Sequence, residues 1–278
     1  MFRYTKWSLV REVVVLLAAL VMLSPFYILI VTALKPVGEI LTTGPLTPSS
    51  NPTLENFTTI FQAEGSGSLV NGLINSVIIT TGVILLLILF GSVAAYVLSR
   101  KLGRLSNVLF FLALGGIVVP AQLGLVPLYV AAREVGLVGN RWGMIVIYAA
   151  MLMPLAVFLY SGFCRGVPRE YEEAATIDGA SRWQVFARVI FPLLAPATGT
   201  VAIMTGLIVW NDFFTPLVFL DGSDQPTLPV VMYNYIGSLV SQWNYIFAVV
   251  LVSMVPILAF YLFAQKKFIQ GFAGGIKS

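Results

Sequence analysis

Residues 165–196 read Arg165-Gly-Val-Pro168-Arg-Glu-Tyr-Glu-Glu-Ala-Ala-Thr-Ile-Asp178-Gly179-Ala-Ser181-Arg-Trp-Gln184-Val-Phe-Ala-Arg188-Val-Ile-Phe-Pro192-Leu-Leu-Ala-Pro196. Four carboxylates (Glu170, Glu172, Glu173, Asp178) and four arginines (Arg165, Arg169, Arg182, Arg188) are gathered here, between long apolar runs. Charged side chains are costly in hydrocarbon, so a polar island between spanning-length runs lies outside the bilayer. Its punctuation is that of a folded segment. Pro168 suits a first helical turn, where its missing N–H is no loss. Glu170, Glu172 and Glu173 follow where the helix dipole favours negative charge. Gly179 supplies a left-handed C-terminal residue. The spacing predicts a helix over 169–178 of about three turns. Ser181-Arg-Trp-Gln184 has the form of a capping box, so a second helix starts there and runs toward Pro192 and Pro196. Ala174 and Ala175 give the first helix a small-residue surface that another protein can approach closely. The competing reading, a loop lying on lipid headgroups, is disfavoured by three glutamates at a negatively charged membrane surface.

Of the 278 residues 58% are hydrophobic and 10% charged, against about 25% charged in an ordinary soluble domain. The composition is that of an all-α membrane protein. One cysteine, Cys164, and no histidine exclude an internal disulfide, a His/Cys metal cluster and imidazole catalysis. No metal site is expected, and Cys164 reads as a small packing residue. The sequence contains no Gly-x-x-x-x-Gly-Lys-Ser/Thr phosphate loop, so nucleotide chemistry belongs elsewhere.

A spanning helix needs about 20 mostly apolar residues. Six stretches qualify, at 13–34, 73–98, 108–131, 144–163, 193–220 and 245–264. Together they define one transmembrane domain over 13–264, flanked by a short N-terminal segment (1–12) and a tail (265–278). The first run, preceded by Arg3, Lys6 and Arg11, is longer than a signal-peptide core and reads as an uncleaved helix. Thirteen of the 16 basic residues fall at the two termini, around Arg100-Lys101-x-x-Arg104 and in 165–192. Only Lys35, Arg133 and Arg141 fall on the other side. Basic residues mark the cytoplasmic side, so both termini and the 165–192 loop are expected there. The cluster at Arg100 is explained as part of this topology signal.

The outer segments are 35–70, rich in proline, and 221–243, a turn-rich loop. In the second, Asp224, Thr227, Tyr233 and Tyr235 admit two readings: an interfacial aromatic belt or contact with a partner at the outer face. Within the spans, Asp212 is the one acidic residue placed deep, and intramembrane ionisable groups are functional by default. Trp210, Asn211 and Asp212 could stack on and hydrogen-bond a polar ring-shaped solute, could line a gate, or could be structural. Asn75 and Gln122 are polar positions that line a path or bond helix to helix.

The stretch Glu173-Ala174-Ala175-x-x-x-Gly179, followed by Val189-x-Phe191-Pro192, resembles the EAA loop of ATP-binding-cassette importer permeases. The family pattern has isoleucine and leucine where this chain has Val189 and Phe191, and the positions stay apolar. Trp210-Asn-Asp-Phe-Phe-x-Pro216-Leu, Thr227-Leu-Pro229 and Gly271-Phe-Ala-Gly-Gly-Ile-Lys277 are similar to stretches of the carbohydrate-uptake branch, typified by the smaller maltose-type subunit. The resemblance covers essentially the whole chain. It implies a type I importer fold with six transmembrane helices, in a bacterial or archaeal cytoplasmic membrane. It implies as partners a homologous permease, an ATPase dimer that binds MgATP, and an extracytoplasmic solute-binding protein delivering a sugar. No cofactor in this chain, no enzymatic activity and no nucleic-acid partner are implied. The island would be the segment that docks on the ATPase, through Pro168, Glu170, Glu173, Ala174, Ala175, Asp178, Gly179, Ala180 and Pro192. Glu173 would pair with a basic group, Ala174 would lie against the partner surface, and Gly179 would make the turn. The tail would add contacts at Gly271, Gly274, Gly275 and Lys277. Two other classes stay on the page, an ion-gradient transporter resting on Asp212 and an ATP-driven permease for a non-sugar solute.

Overall fold

The computed structural model describes residues 6–65, 68–101, 103–236 and 242–274, and these are helical without a strand among them. In chain order the helices are α1 (Lys6–Ala33), α2 (Val37–Ile40), α3 (Glu55–Gln62), α4 (Leu69–Leu86), α5 (Ser92–Arg100), α6 (Arg104–Val118) and α7 (Leu125–Glu134). They continue as α8 (Arg141–Gly166), α9 (Glu170–Ile177), α10 (Arg182–Gln184), α11 (Phe191–Leu193), α12 (Ala195–Asn211), α13 (Phe214–Phe219), α14 (Leu228–Asn234) and α15 (Trp243–Gly274). Wide π-helical turns join α4 to α5 (Leu87–Gly91) and α10 to α11 (Val185–Ile190).

Among the described residues four stretches are single helices long and apolar enough to cross a membrane: Trp7–Ala33, Leu69–Arg100, Arg141–Gly166 and Trp243–Leu262. Two more are bent pairs, Arg104–Val118 with Gln122–Glu134 at 94° and Arg182–Leu193 with Ala195–Asn211 at 71°. The straight third span expected at 108–131 is therefore broken. Pro120 removes a backbone donor and pushes Val119 into extended backbone (φ −70°, ψ 122°), which ends α6. The fifth, expected over 193–220, ends as a continuous helix at Asn211, because Asp212 is extended. Pro25, Pro154 and Pro256 sit inside unbroken helices. The last helix runs on through 265–274, where a tail was expected.

The chain forms two compact units, Met1–Val70 with Val231–Val255 and Asn71–Val230 with Pro256–Ser278. In the first, α1 exposes its apolar length, with Leu20, Val21 and Met22 all more than 60% exposed. The end of α1 is held by Asn56 of α3. Its amide donates to the orphan carbonyls of Ala33 (2.7 Å) and Lys35 (2.8 Å), and its oxygen accepts from Asn244 Nδ2 at 2.7 Å.

In the second unit α8 is the central element. Met144, Tyr148, Ala156, Tyr160 and Cys164 are all buried along it, packed with residues of α4, α5 and α12. Asn140 caps its N-terminus by accepting from Gly143 N–H at 2.8 Å. Position 143 must be glycine here, since a Cβ would lie 1.9 Å from the Leu137 carbonyl oxygen.

Candidate functional site

The polar island folds as two short helices around a glycine turn. α9 covers Glu170–Ile177, two residues fewer than the spacing predicts. Its end is a Schellman motif: Gly179 N–H donates to Thr176 C=O and Ala180 N–H to Ala175 C=O, each at 3.0 Å. The motif turns the chain at Gly179, with φ +83°, so Asp178 becomes the cap rather than the last helical residue. Ser181 then caps α10. Its hydroxyl accepts from Gln184 N–H, and the Gln184 side chain accepts from Ser181 N–H at 2.7 Å.

The helical period divides α9 into two faces. Glu170, Glu173, Ala174 and Ile177 share the exposed one, and Ile177 is 86% exposed. Glu172 and Ala175 lie on the opposite, half-buried face. Ala175 and Ala180 pack against the apolar core of the second unit, which seats the glycine turn. Pro168, Asp178 and Pro192 are exposed.

Glu172 fastens the helix. Its carboxylate pairs with Arg100 Nε at 2.5 Å and accepts from Tyr96 Oη at 2.9 Å. Arg100 also donates from Nη2 to the Val167 carbonyl at 2.8 Å. This is the one ion pair among the described residues, and its side chains are only 14% and 18% exposed. The Tyr96 ring lies 5.3 Å from Phe186, which also meets Trp183 and Phe191. Beside it opens a cavity of about 630 Å³ walled by Tyr96, Arg100, Lys101, Glu172, Arg182 and Trp183. Sequence reasoning assigned Arg100 to topology alone and gave Glu172, unlike Glu170 and Glu173, no role of its own. The inward 172/175 spacing, paired with a basic residue closing the preceding span, was the signal available. Ile177 was also missed.

The polar residues of the spans are already partnered. Asp212 Oδ1 accepts from the N–H groups of Phe214 (3.0 Å) and Thr215 (3.3 Å), capping α13. Its Oδ2 accepts from Tyr148 Oη at 2.9 Å and from the Thr215 hydroxyl. The carboxylate bridges a helix break to Tyr148, in the first third of α8. Asn211 is exposed and turns its amide back to the Leu207 carbonyl at 2.8 Å, while Trp210 is half-buried. Asn75 is buried; it donates to the Pro226 carbonyl (3.1 Å) and accepts from Arg141 Nη1 (3.3 Å). Asn75 and Arg141 thus tie down the loop after α13, with Gln225 Oε1 accepting from Arg141 N–H at 2.9 Å. Gln122 is exposed in the turn between α6 and α7, away from these networks.

In the outer loop Asp224 and Tyr233 are exposed, whereas Thr227 is buried. Tyr235 stacks 5.7 Å from Tyr245, and burial, with Tyr245 beside it, raises its phenol pKa. Gly271 and Gly274 lie in the last turns of α15. Gly275 and Lys277 fall outside the described residues.

Helix α9 is thus held at the end of one span and presents Glu170, Glu173, Ala174 and Ile177 outward. Residues 88–272 match the model of the family described as binding-protein-dependent transport system inner membrane component. The chain belongs to that family. This permease is 38% identical over 268 residues to the melibiose/raffinose/stachyose import permease protein MelC of Bacillus subtilis, covering 95% of each chain. It is 34% identical to the multiple sugar-binding transport system permease protein MsmG of Streptococcus mutans, again covering 95% of each. Its fold matches a bacterial ABC transporter involved in import of the acidic polysaccharide alginate, with TM-score 0.82 and 21% identity over 96% of this chain and all of that one. The expectation of a carbohydrate-uptake permease is borne out, as is a multi-pass place in the cytoplasmic membrane.

Proposed function

We propose that the chain is one of two permease subunits of an ATP-driven type I importer that moves a sugar or sugar-like solute inward by alternating access. Each bent pair counts as one span, giving six, and the thirteen-to-three division of basic residues supports cytoplasmic termini. The partners are a homologous permease, an ATPase dimer that holds MgATP, and an extracytoplasmic solute-binding protein. A solved relative of the fold is an alginate transporter in complex with its pentasaccharide-bound periplasmic protein.

The observation that carries the coupling role is the two-faced helix α9. Glu172 and Ala175 hold it to the transmembrane unit, and Glu170, Glu173, Ala174 and Ile177 face away from it. Motion of a docked ATPase would reach α5 through Glu172–Arg100 and α12 through the chain beyond Gly179. Solute would favour one of two preexisting states, and ATP with the binding protein the outward-open one.

Ala174→Glu puts a large charged group on the docking face. Gly179→Val forces an L-residue into left-handed backbone, at about 1–2 kcal/mol. Each variant should insert in the membrane yet lose solute-stimulated ATP hydrolysis and uptake in the reconstituted complex. Wild-type uptake by both, with the ATPase bound, would overturn the coupling assignment. Uptake by vesicles without the ATPase would favour an ion-gradient mechanism instead. The solute that raises ATP hydrolysis identifies the substrate.

A further inference from the structure

In the first unit, a lysine is buried where the membrane helices end. Lys35 is 1% exposed. Its ammonium donates to Thr43 Oγ1 at 2.9 Å and to the Gly44 carbonyl at 2.8 Å. Both acceptors are neutral, and a lysine has three donors. It makes no ion pair among the described residues. The carboxylate closest in sequence, Glu39, is engaged instead by Ser50 Oγ at 2.6 Å. An uncompensated buried charge is expensive unless a counter-charge reaches it.

A cavity of about 310 Å³ lies against this lysine, lined by Ile28, Thr32, Thr43, Trp243 and Phe247 among others. Thr32 is 6% exposed, and its hydroxyl is buried without a hydrogen-bond partner. The cavity thus offers one unsatisfied hydroxyl and one cation in a largely apolar wall. Tryptophan at the start of a membrane helix marks the headgroup level. Ile28 and Thr32 belong to α1, whose exposed apolar length continues away from the cavity.

We propose that this cavity is a phospholipid site. The headgroup phosphate would be held by Lys35 and Thr32, and an acyl chain would run beside Ile28 and Phe247 along α1. A phosphate supplies the missing negative charge, and hydrocarbon suits the remaining wall.

The full-length permease, purified with its partner subunits in detergent, tests the site by native mass spectrometry. The wild type and Lys35→Arg should keep a bound phospholipid through washing. Lys35→Met should lower its occupancy about tenfold or more, as expected for loss of a charge-assisted hydrogen bond. Lys35→Met also unties the Thr43–Gly44 strap, so two variants leave the strap intact: Ile28→Trp, which fills the cavity, and Thr32→Val. Ile28→Trp should abolish retention and Thr32→Val weaken it, with the complex still assembled. Equal retention in wild type, Ile28→Trp and Thr32→Val overturns the site. In a second arm, short-chain phosphatidylglycerol should raise the Tm in a Lys35-dependent way. Inorganic phosphate giving the same rise would show a soluble-anion site and overturn the lipid assignment.

Discussion

The segment around α9 and the break at Asp212 both place carboxylates beside long apolar helices, and they divide local and long-range bonds differently. α9 is built from neighbours: its cap, its Schellman turn and its capping box join residues at most five apart. Asp212 adds distance to local bonds, since it accepts from Phe214 and Thr215 next to it and from Tyr148 64 positions away. Within α9 it is Glu172 that adds distance, its carboxylate reaching back 72 positions to Arg100. Local hydrogen bonds shape a segment, whereas long-range ones fix where it stands. Both α9 and the break at Asp212 need the two together, α9 leaning on the local kind for its ends and Asp212 joining both kinds in one carboxylate.

The contrast breaks most sharply at Asp212. Asp212→Ala leaves two hydroxyls and two amide N–H groups without their acceptor. It should destabilise the permease by about 3 kcal/mol or more, read as a lower Tm in detergent. Asp212→Asn keeps an acceptor for the α13 cap and should fall between. If Asp212 instead serves the solute, Tm would hold and only solute-stimulated hydrolysis would fall. Glu172→Gln comes next. The pair lies between the exposed and buried limits, so the loss is about 2 kcal/mol, and it should loosen α9 rather than unfold the spans. Hydrogen exchange confined to 168–182, with uptake reduced, is the expected pattern. Ser181→Ala removes one local cap at about 1 kcal/mol. Its effect should stay within α10, and a fall in the global Tm as large as that of Asp212→Ala would erase the distinction drawn above.

The smallest effect lies at Glu39. Hydrogen bonds from Ser50 first and Ser49 second hold its carboxyl below the usual pKa. A lowered folded pKa contributes stability above the unfolded value, and that contribution is lost as pH falls through the folded one. Exchange protection over 39–50 should therefore decline as the medium is acidified below about pH 4, and Ser50→Ala should flatten that decline.

This division also explains what could be read in the sequence. The glycine turn, the capping box and the acidic first turn are local, and their residues announce them at fixed offsets. The apolar runs announce the spans, but not that Pro120 and Asp212 break two of them, because prolines at 25, 154 and 256 look the same and break nothing. Asn75 admits both a path and a bonding role in the sequence because polarity is visible there and its partners, Arg141 and the Pro226 carbonyl, are not. Glu170, Glu172 and Glu173 look interchangeable until the helical period assigns one to the core and two to the outside.

The wide turn at Leu87–Gly91 has a consequence for chain length. A π-helical turn holds more residues than an α-helical one, so it sets the angular phase of everything beyond it. One residue advances an α-helix by about 100°. Closing that turn into regular α-helix with no residue removed would swing Arg100 by about that angle, away from Glu172, whereas deleting Ile88 as the turn closes should keep the pair together. Whether the transmembrane unit grips α9 would then depend on a single count of residues, with every side chain in the grip unchanged.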